Sequence, residues 1–292
     1  MSSPFHPGEL RLQRHAGVEE ALARFGRRAI RRAMPAQHQR FFAQLPFVVV
    51  GAVDPGGAPW ASFLTGPPGF AHARDAQTLV LDAVPDVLDR GSLEVGSPVG
   101  LLGIELHSRR RNRLNGRVVS HDGGLVVRVE QSFGNCPQYI HPRVVEPGVA
   151  EPVHAAEHEA LTAADRAFIA RSDTFFVATS ATHGSGERSV DASHRGGPPG
   201  FVHVNADGEL VIPDYAGNNA FNTLGNIVSD GRAALAFVDF ATGDLLQLEG
   251  PARVLLDDPR IAAFDEARRL WTVRPRRVLA RRGGLPLRLR SP

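Results

Sequence analysis

The pentapeptide Gly-Pro-Pro-Gly-Phe occurs twice, at Gly66–Phe70 and again at Gly197–Phe201, an offset of 131 residues. The surroundings match as well. Each copy follows an apolar run that reads as a buried strand, PFVVVGAV from Pro46 and TFFVATSA from Thr174, and then a second strand, PWASFL from Pro59 and RSVDASH from Arg188. Each copy precedes a further short strand, TLVLDA from Thr78 and ELVIPD from Glu209. Later, NRLNGRV from Asn112 aligns with LQLEGPARV from Leu246, the offset having grown to 134 through loop insertion. A module used twice is the strongest constraint on the fold, because each element assigned in one half must reappear in the other.

Walking the chain, the stretch GVEEALARFGRRAIRRAM from Gly17 has helical spacing and ends near Pro35, and AQHQRFFAQL forms a second short helix. The first module then supplies strands near 46–53, 59–65, 69–73 and 78–82, a helical segment around PDVLDRGSLEV, and strands near 98–106, 112–120 and 124–131. EPVHAAEHEALTAADRAFIARS from Glu151 reads as a connecting helix. The second module repeats the order with strands at 174–180, 188–194, 200–204 and 209–213, a helix at 218–229, and strands at 232–239 and 244–254. A helix near 258–270 and a closing strand end the chain. Many short strands with turn signals between them predict a small antiparallel barrel in each half, with a helix at its mouth. The expected division is a helical extension at 1–45, a first module at 46–150 and a second at 151–292.

All 33 basic residues are arginine; the chain has no lysine. That excludes a Walker phosphate loop and a lysine Schiff base. Any anion must be held by arginine, backbone N–H groups, or amide and hydroxyl side chains. A single cysteine, Cys136, excludes an internal disulfide framework. No apolar run approaches the ~20 residues that span a bilayer, and the N-terminus lacks the pattern of a secretory signal. A cytoplasmic protein with no membrane partner is the expectation. Nine arginines without an acid between Arg268 and Arg290 suggest either an anionic partner or, preferably, the solvent face of a final strand. With few aromatics interleaved, nucleic acid is disfavoured.

The block from Glu187 to Phe237 carries the chemistry. In DYAGNNAFNTLGNI a turn rich in Gly and Asn enters a helix, so Asn218, Asn219 and Asn222 stand at or near its N-terminus. Unpaired N–H groups there favour a phosphate, with Arg188 or Arg195 of the preceding strand as countercharge. Asparagines also cap helices with no ligand present, and this reading stays open. NCPQY, with Cys136 and Gln138, is the first module's best candidate contribution, and RRRNRLNG around Arg109–Gly116 reads as either a ligand-facing or an exposed basic strand. HAAEH puts His154 and His158 at zinc-compatible helical spacing without a third ligand. Asp173, His194 and Ser193 lack the G-x-S-x-G elbow of a hydrolase, and no G-x-G-x-x-G is present for a Rossmann site.

The stretches VDASHRGGPPGFV, IPDYAGNNAFNTLGNI, RRRNRLNG and QSFGNCPQYI resemble the FMN-binding split barrels related to pyridoxamine 5'-phosphate oxidase. The resemblance implies a mainly β fold with helices (α+β): two tandem six-stranded FMN-binding split barrels packed as an intrachain pseudo-dimer. It implies FMN at the interface between the barrels. Carried over by position, Arg188, Arg195, Asn218, Asn219 and Asn222 take the phosphate and ribityl chain, and Val190, Asp191, Ala192, Ser193 and His194 border the ring. Asp214, Tyr215, Cys136 and Gln138 complete the expected set. Two departures count against vitamin B6 oxidation: the oxidase's phosphate lysine is missing, and the tail GLPLRLRSP has no histidine. Where the second module has DYAGNNAFNTLGNI, the first has DAVPDVLDRGSLEV, whose Asp86, Asp89 and Glu94 repel phosphate. One FMN per chain, in the second module, is therefore expected. The implied activity is an FMN-dependent oxidoreductase; the alternative is a flavin- or haem-binding module without turnover, His194 or His203 ligating iron. Expected partners are the flavin nucleotide and a small-molecule substrate or electron donor, with a homodimer as a further option.

Overall fold

The structure is a computed structural model describing residues 3–83, 86, 93–121, 123–147, 154–184 and 186–292. Three helices come first: α1 (Pro7–His15), α2 (Glu19–Ala29) and α3 (Ala36–Ala43). The first module follows as β1 (Phe47–Val53), β2 (Pro59–Thr65), β3 (Ala71–Asp75), β4 (Thr78–Leu81), β5 (Pro98–Glu105), β6 (Arg110–Ser120) and β7 (Leu125–Gly134). β8 (Val144–Pro147), β9 (His154–His158) and α4 (Ala163–Arg171) lead to the second. That module comprises β10 (Thr174–Thr182), β11 (Arg188–Gly196), β12 (His203–Val204), β13 (Leu210–Asp214), α5 (Asn222–Asp230), β14 (Arg232–Asp239), β15 (Asp244–Leu255) and β16 (Arg269–Val273). β17 (Arg277–Arg282) and β18 (Leu287–Arg290) close the chain.

The repeat is visible in the topology. The first sheet runs β2-β1-β5-β6-β7-β4-β3 and the second β11-β10-β14-β15-β16-β13-β12, the same order strand for strand. Short β3 and β12 add a seventh strand to each. In the second module β17 extends the sheet by pairing with β15, and β9 pairs with β17. The last strand, β18, pairs with β8 at the exit of the first module.

Packing explains why the repeated residues recur. In both GPPGF copies the second glycine is left-handed, with φ of 102° at Gly69 and 84° at Gly200, a conformation that favours glycine. The turn folds Phe70 and Phe201 into their respective cores. The glycines of LNG and LEG are a second matched pair. A Cβ on Gly116 would lie 2.0 Å from the Arg128 carbonyl oxygen, and one on Gly250 would lie 1.9 Å from that of Arg274. β15 bends at this point, pairing with β14 up to Pro251 and with β16 from Ala252 onwards.

Several elements differ from expectation. The helix expected from Gly17 to near Pro35 spans only Glu19–Ala29, and a separate helix, α1, precedes it, with His6 closing a capping box with Glu9. HAAEH is not helical: it is β9, an added strand whose Glu157 meets Arg277 of β17. The expected helix at 258–270 is a 3-10 turn at Pro259–Ala263 followed by β16, because Leu270, Trp271 and Val273 are needed in the core between β13 and β15. The helical segment expected around PDVLDRGSLEV lies largely outside the described residues.

The modules meet face to face through Phe47, Val49, Ala61, Leu102 and Ile104 on one side and Phe176, Ala178, Ala192, Ala234 and Ala236 on the other. The alanines let the second sheet approach closely, and β5 reaches backbone contact with β11 at Gly100. A Cβ there would stand 2.8 Å from Asp191 Cα and 2.9 Å from the Ala192 nitrogen. Gly100→Ala is therefore expected to cost about 1–3 kcal/mol by overpacking, read as a fall in Tm, while Gly184→Ala, with open space around it, leaves Tm unchanged.

Candidate functional site

The stretches singled out in the sequence converge on one cavity at the seam between the modules. β6 of the first module supplies Arg111 and Arg113, and the 135–139 loop supplies Cys136, Gln138 and Tyr139. The second module supplies Ser193, His194 and Arg195 from β11, the 213–221 loop, and the first turn of α5. The cavity has about 100 Å³ of free space.

Arg113 is the centre of the wall. It is 6% exposed and crosses the seam. Its Nη1 donates to both Asp191 oxygens at 3.0 Å and to Asn222 Oδ1 at 3.0 Å, and its Nη2 donates to Ser193 Oγ. The strand registers pair Leu101 with Leu114 and Leu235 with Leu248, which makes Gln247 the counterpart of Arg113 in the repeat. Gln247 makes the mirrored contact, donating to the Ala61 carbonyl of β2 at 2.7 Å. By the same logic the counterparts of Asp191, Ser193, His194 and Arg195 are Trp60, Ser62, Phe63 and Leu64. Trp60 lies under Arg277 and Phe63 sits edge-on to Phe176, so aromatic rings fill the place that is polar in the other half.

Two more guanidinium groups, Arg111 and Arg195, line the cavity, and a third, Arg269, stands behind Asp214. Arg111 Nε donates to the Cys136 carbonyl at 2.8 Å, and its Nη1 lies 3.2 Å from His194 Nδ1. Among the described residues it meets no carboxylate, and burial together with Arg113 and Arg195 pushes its pKa down to about 9. Arg195 and Arg269 share Asp214, at 2.6 and 3.3 Å. Burial and these neighbouring cations hold the His194 pKa well below the usual imidazole range, so the ring is neutral. Behind Asn222 lies the buried carboxyl of Glu9, which accepts from the Asn222 amide. Desolvation pushes its pKa up to about 8. Four arginines, Arg111, Arg113, Arg195 and Arg269, thus stand with two aspartates, Asp191 and Asp214, so the cluster holds more basic than acidic side chains.

Part of its hydrogen-bonding capacity is unused. Arg195 Nε, Thr223 Oγ1 and His194 Nε2 are buried without partners among the described residues, a cost of about 1–3 kcal/mol each unless a ligand or water meets them. The first N–H groups of α5 also lack intrahelical acceptors. The wall is strained as well. Tyr139, Asn219 and Phe221 have φ of 61°, 54° and 61°, three of the five described non-glycine residues with positive φ. Tyr139 and Tyr215, one from each module, bring their rings to 5.2 Å, and Tyr139 Oη donates to the Ala216 carbonyl at 3.0 Å.

Of the residues expected from sequence, Cys136, Gln138, Ser193, His194, Arg195, Asp214, Tyr215, Asn218, Asn219 and Asn222 line the cavity. Asp191 reaches it through Arg113. Val190 and Ala192 are off its wall, buried on β11, where β5 packs. Arg188 requires correction: it sits at the far end of β11, with Nε 3.4 Å from Thr182 Oγ1 and 4.0 Å from Asp230 at the C-terminal end of α5. Seven strand steps of ~3.3 Å each separate it from Arg195. The helix starts at Asn222 rather than 218, and Asn218 Oδ1 instead accepts from the Ala220 N–H in the preceding turn. His203 is exposed on β12, off the cavity wall. No group of residues suited to a metal ion occurs among the described residues; His158 pairs with Asp165 at 2.7 Å instead. No described helix is long and apolar enough to cross a membrane. Glu9, Thr223 and Arg269 were not legible as site residues, and Arg113 was marked only by the spacing of RRRNRLNG.

The family model described as pyridoxamine 5'-phosphate oxidase matches residues 34–155 and again 161–282. The chain belongs to that family. Solved structures resemble one stretch of it each. HupZ of Group A Streptococcus is 16% identical over 39% of this chain and 89% of its own, with a TM-score of 0.30. A FAD-binding protein of Mesorhizobium loti is 9% identical over 44% and 97%, TM-score 0.31. HutZ, a haem storage protein of Vibrio cholerae, is 12% identical over 41% and 93%, TM-score 0.29. No curated protein sequence matches the chain.

Arg113→Met strands the Asp191 carboxylate in the seam and is expected to cost about 3–5 kcal/mol in chemical denaturation. Replacing both members, Arg113→Met with Asp191→Leu, should recover at least half of that loss, because the desolvation of both charges disappears with the pair.

Proposed function

We propose that this cavity binds a flavin by its phosphate, FMN in particular, and that the protein is an FMN-dependent oxidoreductase acting on a small molecule. The observation that carries this reading is the combination of surplus arginine charge with buried, unpartnered Arg195 Nε and Thr223 Oγ1 beside the α5 N-terminus. A phosphate dianion supplies the missing charge and acceptors. Arg195, Thr223 and the first turn of α5 would hold the phosphate. Asn218, Asn219, Gln138, Ser193 and neutral His194 would meet the rest of the nucleotide along the cleft. When bound, the flavin supplies reversible two-electron transfer. The protein's own contributions are to hold the anion, to keep His194 uncharged and to exclude water at the seam.

Both walls of the cavity come from one chain, so the reading needs no second copy to complete the site. The absent lysine and the histidine-free tail count against vitamin B6 as substrate, and the lone cysteine suits a cytoplasmic setting. A second reading, haem binding, rests on His194: the ring is neutral and buried, with Nε2 unpartnered among the described residues. Because Nδ1 faces the Arg111 Nη1 donor, the ring proton sits on Nε2, which would ligate iron only after that contact is released.

The visible spectrum of the purified protein separates the two readings, flavin bands supporting the first and a Soret band the second. For the phosphate assignment, FMN is expected to bind more tightly than riboflavin. Arg195→Ala should weaken FMN about 10- to 100-fold, the equivalent of a lost charge-assisted hydrogen bond, and leave riboflavin affinity unchanged. Equal affinities for FMN and riboflavin in the wild-type protein would refute it.

A further inference from the structure

The N-terminal helix α1 is fastened to the cavity from behind. Glu9 projects from its first turn, where Oε2 accepts from the His6 N–H at 2.9 Å and Oε1 accepts from the Asn222 amide. The same Asn222 side chain accepts from Arg113 Nη1 at 3.0 Å. A continuous path, Glu9–Asn222–Arg113–Asp191, therefore joins the first turn of the chain to the first turn of α5 and to the seam. We propose that Glu9 is a positioning residue of this cavity, acting through Asn222 and Arg113, and that its proton is thermodynamically linked to the binding of a phosphate-bearing ligand. The inference rests on the cavity taking a phosphate group.

The charged and titratable groups facing Glu9 are Arg113 from β6, Asp191 from β11 and His6 from its own helix cap, with Asn222 as the neutral contact from α5. His6, lowered to about 4 chiefly by burial, is neutral above that range. Burial raises Glu9 to about 8, so below that pH the arginine surplus is undiminished, and above it one negative charge is added behind the anion site. Repulsion between that charge and the phosphate makes the complex favour protonated Glu9. By linkage, binding takes up protons near pH 8 and affinity falls as pH rises through it.

The test titrates the full-length protein with FMN and, separately, with inorganic phosphate from pH 7.5 to 9.5, comparing wild type with Glu9→Gln. Arg111 also titrates toward the upper end, but it is common to both proteins. Wild-type affinity is expected to fall about five- to tenfold between pH 7.5 and 9 beyond any fall in Glu9→Gln. Wild type should take up about half a proton per ligand at pH 8, measured by calorimetry in buffers of different ionisation enthalpy; this arm stands even if the variant fails to fold. Parallel pH profiles, no proton uptake at pH 8, or no binding of either probe would overturn the proposal. Binding of phosphate with the Glu9-dependent slope but no preference for FMN over riboflavin would sink the flavin reading alone.

Discussion

The Arg113–Asp191 ion pair holds the two halves in the arrangement on which the cavity depends. A guanidinium from one sheet and a carboxylate from the other, both almost fully buried, are compensated only while the sheets stay in register. Burial draws the Arg113 pKa down and raises that of Asp191, each through desolvation first. Such a pair contributes little net stability against an apolar alternative, but breaking it is costly. It therefore penalises misalignment. Through Ser193 and Asn222 the same guanidinium fixes β11 and the start of α5 relative to β6.

The two modules share one topology and one set of turn and bend glycines, yet have different surfaces at the seam. One position that is Arg113 in the first module is Gln247 in the second, and the strand it meets is Asp191–Arg195 in one case and Trp60–Leu64 in the other. Polar groups are concentrated at one of two related places, and aromatic packing closes the other. A symmetric pair of identical barrels cannot divide its surfaces in this way; a single chain carrying both can.

Much of this was legible in the sequence because it rests on local patterns. GPPGF marked two copies of one module, and the apolar runs at Pro46 and Thr174 pointed to buried strands. The Asn-rich turn before α5 read as ligand-facing from its own composition and the NCPQY loop from the family resemblance, and both line the cavity. What escaped was non-local. HAAEH has helical spacing but becomes β9 because β17 offers a free edge. RRLWTV follows an apparent helix but is drawn into a strand by the core around Trp271. Arg188 precedes the site in sequence by only a few residues, yet an extended strand carries it to the wrong end. Glu9 sits 213 residues from Asn222, and nothing in its own neighbourhood reveals that contact.

Helix α1 and strand β18 each reach across to the half they do not belong to. Helix α1 packs against α5, which is synthesised more than two hundred residues later, and β18 completes a ladder with β8 at the exit of the first barrel. A nascent chain can form the first barrel as it emerges from the ribosome, but α1 has no seat until α5 has emerged, and β8 has no partner until β18 is made. Latching of the two halves therefore waits on the second module, and a chain stalled before Leu287 would lack the β8–β18 ladder.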